Sequence, residues 1–218
     1  MTMRAVVFDM DGVLVDSEVY WALAREEYAA DLGKVWQPDA HRLVMGRATL
    51  EWAQVMQDHL ALTTPPRQIA DEMIARMATK YAERLPVRPG AIEAVKVAAA
   101  HYKVGLASGS PTTLIQTVMQ LTGLDAVFET LVYGDDITHG KPAPDIYIEA
   151  LRRLGVAASE AVGVEDSANG IRSLHAAGMR IIAAPSPAFP LSDDILALAD
   201  AKIDTLEAFS LALVQGLG

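Results

Sequence analysis

Five short apolar runs punctuate the chain, at residues 4–9 (RAVVFD), 104–108 (VGLAS), 130–134 (TLVYG), 161–166 (AVGVED) and 180–185 (RIIAAP). Their apolar residues are consecutive instead of alternating, the pattern of strands covered on both faces in a parallel sheet. Between them, helical periodicity predicts helices over 91–101, 111–121, 144–154 and 168–177. Proline at the start and glycine at the end punctuate several of these, as at Pro144 and Gly155. Strands alternating with helices of this length predict an α/β fold, a doubly wound parallel sheet with right-handed crossovers.

One segment breaks the alternation. Residues 18–84 hold no strand pattern, only helical ones at 18–32, 39–44, 50–60 and 66–84, with LTTPP at 62–66 before the last. A block of helices inserted after the first strand reads as a small bundle of its own. The predicted division is an α/β core of residues 1–16 and 86–218 and a helical domain of residues 17–85, with Pro86 and Pro89 stiffening the return to the sheet. The alternative is that these helices pack on one face of the sheet.

Ligands of an open parallel sheet sit beyond the carboxyl ends of its strands, so the residues after each run carry the chemistry. After the first come Asp9 and Asp11, followed by Gly12; after the second, Ser108, Gly109 and Ser110; after the fourth, Glu165 and Asp166. The third leads into a loop, 133–145, that carries Lys141 and His139. Carboxylates gathered at one sheet end repel unless a cation lies among them, and Mg2+ takes oxygen ligands of this kind. A serine-glycine-serine turn opening into a helix offers hydroxyl and N–H groups to an anion, and Lys141 supplies a positive charge to a phosphate and to a carboxylate nucleophile.

Composition narrows the classes. The 218 residues are 51% apolar and carry a net charge of −10, against the basic face that nucleic-acid binding needs and against attraction to an acidic membrane surface. No run approaches the ~20 apolar residues of a membrane span. We read no targeting peptide, because Asp9 interrupts the first apolar run. With no cysteine there is neither a disulfide framework nor thiolate chemistry, and a reducing cytoplasm fits. Pro142 after Gly140-Lys141 rules out a nucleotide P-loop, and Gly12 stands too early after Asp9 for an EF-hand. Oligomeric state leaves no mark on the sequence, and a monomer is compatible with it.

In this order FDMDGVLVDS, SGS, GKPAPD and GVEDSANG resemble the haloacid dehalogenase superfamily, in the branch with a helical cap after the first strand, near β-phosphoglucomutase and the hexose-phosphate phosphatases. The resemblance covers nearly the whole chain. It implies a Mg2+-dependent aspartate-nucleophile phosphatase with Asp9 as nucleophile and Asp11 as general acid/base. It further implies Gly12, Ser108, Gly109 and Lys141 around the phosphoryl group, and Asp9, the Asp11 carbonyl, Glu165 and Asp166 around the metal, Asp166 foremost. Gly12 would let the backbone approach the phosphate, its N–H a candidate donor. The cap would read the leaving group through residues near the hinge: Glu18, Tyr20, Trp21, Arg25, Gly46 and Arg47. Mutases of the family carry a cap histidine where this chain has Trp21, and a lysine near the position of Met77. Hydrolysis of a small phosphomonoester, a sugar phosphate foremost, is therefore expected over mutase activity. A dehalogenase would lack Asp11 and the metal. A phospho-receiver signalling domain would use a later aspartate and lack the inserted helices.

Overall fold

The structure is a computed structural model that describes residues 2–44, 47, 49–187 and 189–218. Six parallel strands form one sheet: β1 (Ala5–Phe8), β2 (Lys103–Ser108), β3 (Thr130–Tyr133), β4 (Ala161–Glu165), β5 (Arg180–Ala183) and β6 (Ala201–Lys202). Their order is β3-β2-β1-β4-β5-β6. The predicted α/β class and all five predicted strands are present. The sixth, β6, was not predicted: it is two residues long, paired to β5 through Ile182–Ala201 and Ala183–Lys202, and two residues carry no periodicity.

The helices are α1 (Glu18–Asp31), α2 (His41–Val44), α3 (Thr49–His59), α4 (Pro66–Glu83), α5 (Ala91–Ala99), α6 (Thr112–Thr122), α7 (Asp145–Leu154), α8 (Ala168–Ala177), α9 (Asp193–Leu196) and α10 (Leu211–Gln215). Side-chain alternation along the strands sorts the core into two layers. Val6 and Phe8 of β1 join Val104, Leu106, Val162 and Val164 on the face covered by α5 and α6. Ala5 and Val7 point the other way, onto Ile146, Tyr147 and Leu151 of α7 and Ile171 and Leu174 of α8. Both faces are covered, which is why the runs read as continuously apolar.

The helices between β1 and α5 are α1 to α4, within two residues of the predicted bounds. Their apolar faces meet one another through Trp21, Tyr28, Trp52, Met56, Met73, Met77 and Tyr81 and run on through Leu14 and Val13 into the first core layer. α4 packs on α6 as well as on α1 and α3.

The strand order sets the site. From β1 the chain builds β2 and β3 outward on one side and then crosses to β4 on the other side of β1, so the switch point lies at the carboxyl end of β1. Phe8 is in register with Leu106 on one side and Val164 on the other. The residue that follows, Asp9, therefore emerges between the ends of β2 and β4.

Candidate active site

Asp9 is fixed from the backbone outward: its N–H donates to the Val164 carbonyl at 3.0 Å, which directs the carboxylate into the gap between neighbouring strands. Lys141 reaches that gap from the loop after β3. Its Nζ donates to Asp9 Oδ1 at 2.8 Å, Glu165 Oε1 at 2.5 Å and the Ala107 carbonyl at 3.3 Å, and it stands 4.9 Å from the centre of the Tyr147 ring.

Glu165 is fully buried and accepts from five donors. Lys141 and the Tyr147 hydroxyl (2.9 Å) hold Oε1, while Asp166 N, Ser167 N and Ser167 Oγ, each at 3.0 Å, hold Oε2. The Ser167 hydroxyl also caps α8 by accepting from Gly170 N at 3.0 Å. A Cβ on Gly170 would overlap the Glu165 carboxylate, so the final glycine of GVEDSANG is set by close approach. Glu165 stands with Asp9 and Asp166 in the one acidic group among the described residues that could hold a metal ion, as expected. Both Glu165 oxygens are also hydrogen-bonded, and through Oε1 the residue brackets Lys141 together with Asp9.

Electrostatics argue for that cation. Ligand oxygens of Asp9, Glu165 and Asp166 lie within 4.8 Å of one another. Burial pushes the Asp9 carboxyl up to about 8, with Glu165 and Asp11 adding to it against the attraction of Lys141. Burial, then Glu165 and Asp9, raise Asp166 well above the ordinary carboxylate range. Burial opposes the Lys141 ammonium, yet Asp9 and Glu165 outweigh it and hold that group well above its usual value. One lysine thus faces more acid than it neutralises, and a hard divalent cation such as Mg2+ fits the donor set.

Asp11 lies two residues on but in a different environment. Its Oδ2 accepts from Ser110 Oγ at 2.6 Å and Ser108 Oγ at 3.2 Å, while Oδ1 is buried without a partner. Ser108 Oγ also accepts from Ser110 N at 3.1 Å. The serine-glycine-serine turn therefore holds the second acid, and Ser108 is not an open phosphate donor in this arrangement. Gly109 presents an exposed face where a Cβ would meet nothing.

Gly12 takes a left-handed φ of +77°, and a Cβ there would overlap the Asp166 carboxylate. Close approach is as expected, but its purpose differs. The Gly12 N–H donates to the Val15 carbonyl at 2.7 Å, so it is not a phosphate donor. Its carbonyl accepts from Arg88 Nη1, which also reaches the Ala184 carbonyl at 3.3 Å.

The expected helical-block residues divide. Glu18 is partly buried, and burial raises its carboxyl, with Arg25 lowering it and Asp11 and Asp16 raising it. It is the first residue of α1. Trp21 packs edge-on against Trp52 at 5.6 Å between ring centres, and Tyr20 lies 6.2 Å from Tyr81. Arg47 is exposed and donates through Nε to the Leu43 carbonyl at 2.6 Å, with no contact to the strand-end cluster among the described residues. Gly46 lies outside the described residues. His139 is a surface partner of Asp145 at 2.9 Å.

Three residues were missed. Tyr147 falls on the apolar stripe of α7, where a tyrosine reads as core. Ser110 stood in the expected turn without a role, and Arg88 sits in the proline-stiffened return LPVRPG, where only its position beside the hinge hinted at contact with the first loop.

Comparison with known proteins places this geometry. The model of the haloacid dehalogenase-like hydrolases matches residues 3–178. Hexitol phosphatase B of Escherichia coli is 33% identical over 209 residues, 93% of this chain and 92% of that protein. A phosphorylated carbohydrates phosphatase of Thermotoga maritima is 32% identical over 181 residues, 83% of this chain and 84% of its own. The crystal structure of CbbY from Rhodobacter sphaeroides in complex with xylulose-(1,5)bisphosphate superposes with a TM-score of 0.89 at 27% identity, covering 98% of this chain and all of that one. No described helix is long and apolar enough to cross a membrane. The chain belongs to the haloacid dehalogenase-like hydrolases.

Proposed function

We propose that the protein is a Mg2+-dependent phosphatase of small phosphomonoesters, with a sugar phosphate as substrate and an aspartyl phosphate at Asp9 as intermediate. The observation that carries this reading is the pair of neighbouring acids in opposed surroundings. Asp9 is ion-paired to Lys141 at 2.8 Å, while Asp11 is turned away from that lysine onto Ser108 and Ser110. The first arrangement suits a carboxylate nucleophile and the second a proton carrier.

In the proposed reaction an Asp9 oxygen forms a bond to phosphorus as the bond from phosphorus to the leaving oxygen breaks, and Asp11 gives that oxygen a proton. A water then attacks the phosphorus, Asp11 takes its proton, and the bond to Asp9 breaks to release phosphate. Lys141, bracketed by Glu165 and Tyr147, holds positive charge against the phosphoryl oxygens. Asp9 and Asp166 would hold Mg2+ with the Asp11 carbonyl, and the metal supplies Lewis-acid neutralisation of the transferring group. Glu165 keeps the lysine in place.

The helices of residues 17–85 are proposed as a cap over the core of residues 1–16 and 86–218, excluding water and reading the leaving group. Hydrolysis is favoured over mutase chemistry by what the cap offers. Trp21 is packed on Trp52, and Met77 is fully buried. The nearby cations are engaged elsewhere, Lys80 with Glu27 at 2.7 Å and Arg76 with Asp31 at 2.6 Å. The names of the relatives, a hexitol phosphatase and a phosphatase of phosphorylated carbohydrates, support the same substrate class. A cytoplasmic location accords with the absence of cysteine.

A panel of sugar and polyol phosphates, assayed for phosphate release with and without Mg2+, tests the proposal. Metal-dependent release is expected; interconversion of glucose 1-phosphate and glucose 6-phosphate without release would overturn it in favour of the mutase.

A further inference from the structure

Among the described residues, the buried side-chain polar atoms that make no hydrogen bond of ordinary geometry are five: Asp11 Oδ1, Ser17 Oγ, Tyr81 OH, and Nε and Nη1 of Arg25. Orphans of this kind are rare in folded proteins and ask for an explanation. Here they are not scattered. Asp11 ends the first catalytic loop, Ser17 and Arg25 belong to the start and the inner stripe of α1, and Tyr81 faces them from α4. Electrostatics link them further, since Tyr81 feels both Asp11 and Glu18, and Glu18 feels Asp11 on one side and Arg25 on the other. A line of polar groups thus runs from the proposed proton carrier into the helical block, with Ser17 and Tyr81 answering each other in its middle and Asp11 Oδ1 and the Arg25 guanidinium unanswered at its ends.

Its far end is the unusual one. Arg25 is 4% exposed, on the same helical stripe as Trp21, Ala24, Tyr28 and Ala29, yet it has no ion pair among the described residues. The Trp21 ring lies 5.4 Å from its guanidinium carbon, an attraction that leaves the N–H groups without acceptors. Glu18 is the acid that Arg25 feels, but burial disfavours the charged form of Glu18, which makes it a weak counter-ion. Burial also pushes the Arg25 guanidinium down to about 10. A buried cation with free donors and only a weak counter-ion is unfavourable until an anion arrives.

We propose that Arg25 is the specificity residue for the leaving group and that it binds an anionic substituent, a carboxylate or a second phosphoryl group, on the substrate's far end. Ser17 and Tyr81 would meet intervening hydroxyl groups. This rests on the phosphatase reading and adds a substrate class to it: phosphomonoesters bearing a second negative charge. N–H donors to an anion form charge-assisted bonds, and losing even one of them is worth about tenfold to a hundredfold in affinity.

Matched pairs of substrates test it. One pair is 6-phosphogluconate and sorbitol 6-phosphate, which differ by a carboxylate; the other is fructose 1,6-bisphosphate and fructose 6-phosphate, which differ by a phosphate. The wild-type enzyme with Mg2+ is expected to favour the more acidic member of at least one pair by about tenfold in kcat/KM. The pair that shows it identifies the anion. Arg25→Gln should abolish that advantage mainly through KM while keeping turnover of the neutral member, and Arg25→Lys should keep part of it. Equal or better turnover of the neutral members by the wild type refutes the inference alone, and that arm stands even if Arg25→Gln does not fold. An Arg25→Gln loss equal on both members refutes it too. If no member of either pair releases phosphate, the phosphatase reading fails as well.

Discussion

Gly170→Ala separates the role of a tight contact from that of helix propensity, because the two predict opposite signs. Gly170 is buried in the first turn of α8, and on propensity alone alanine should stabilise a helix by about 1 kcal/mol. At this position, however, the new Cβ would overlap the carboxylate of Glu165, which is fully buried and cannot turn toward solvent. Either the helix moves or the carboxylate swings off its donors. Charge-assisted hydrogen bonds are worth about 1.5–3 kcal/mol each and overpacking adds about 1–3 kcal/mol. Even the lower limits together exceed the propensity gain, so a net loss of about 2–3 kcal/mol is expected. For a chain of this length that lowers Tm by about 4–12 °C. The assay is thermal denaturation of the metal-free variant beside wild type. Activity should fall as well, because Lys141 depends on Glu165 for its position. An unchanged or raised Tm would refute the reasoning, since the bracket would then tolerate what its geometry forbids.

The other predictions concern the same cluster. Asp9→Asn should reduce kcat by several orders of magnitude in a phosphate-release assay, since the amide cannot act as nucleophile; retained turnover would remove Asp9 from the mechanism. Lys141→Met leaves two buried carboxylates without their cation and should cost about 3–5 kcal/mol, measured by urea denaturation of the metal-free protein at pH 8. Tyr147→Phe removes one donor from Glu165 and should cost only about 1 kcal/mol, with activity near wild type. For pH, the folded value of Asp9 is raised from 3.8 to about 8, so the metal-free folded state binds a proton that the unfolded state has lost. The stability this contributes is full below the unfolded value and declines as pH rises toward the folded one. A cation must displace that proton, and Asp166 is raised as well, so Mg2+ affinity measured by calorimetry should rise by about tenfold or more per pH unit below pH 8. A flat profile would show that Asp9 is already ionised without metal.

How far the sequence determined these answers depends on what each one needed. The strands were legible because each is buried on both faces, so burial is written directly in consecutive apolar residues; β6, with two residues at the sheet edge, writes nothing. Positions followed from the strands: once an apolar run ends at Phe8, Val164 or Ala107, whatever comes next stands at the sheet's carboxyl end. Directions did not follow. Gly12 was placed correctly beside the acids, but whether its N–H faced a phosphate or the Val15 carbonyl depended on how the loop closes over Met10, which accepts from the N–H groups of Val13, Leu14 and Val15. Glu165 and Asp166 are adjacent acids that residue type cannot tell apart. They differ because the strand buries one completely and aims it at Tyr147 and Lys141, while the other falls after the strand, beside Asp9 and Gly12. The difference in setting between the two carboxylates is therefore a product of strand register. It follows that exchanging the two residue types, Glu165→Asp with Asp166→Glu, should preserve the charge of the cluster and still fail. The shorter carboxylate at position 165 would lose reach to Lys141 and Tyr147, and the longer one at position 166 would crowd Gly12. Measuring Mg2+ affinity and turnover of that double variant against wild type decides it, because a site governed by charge alone would keep both.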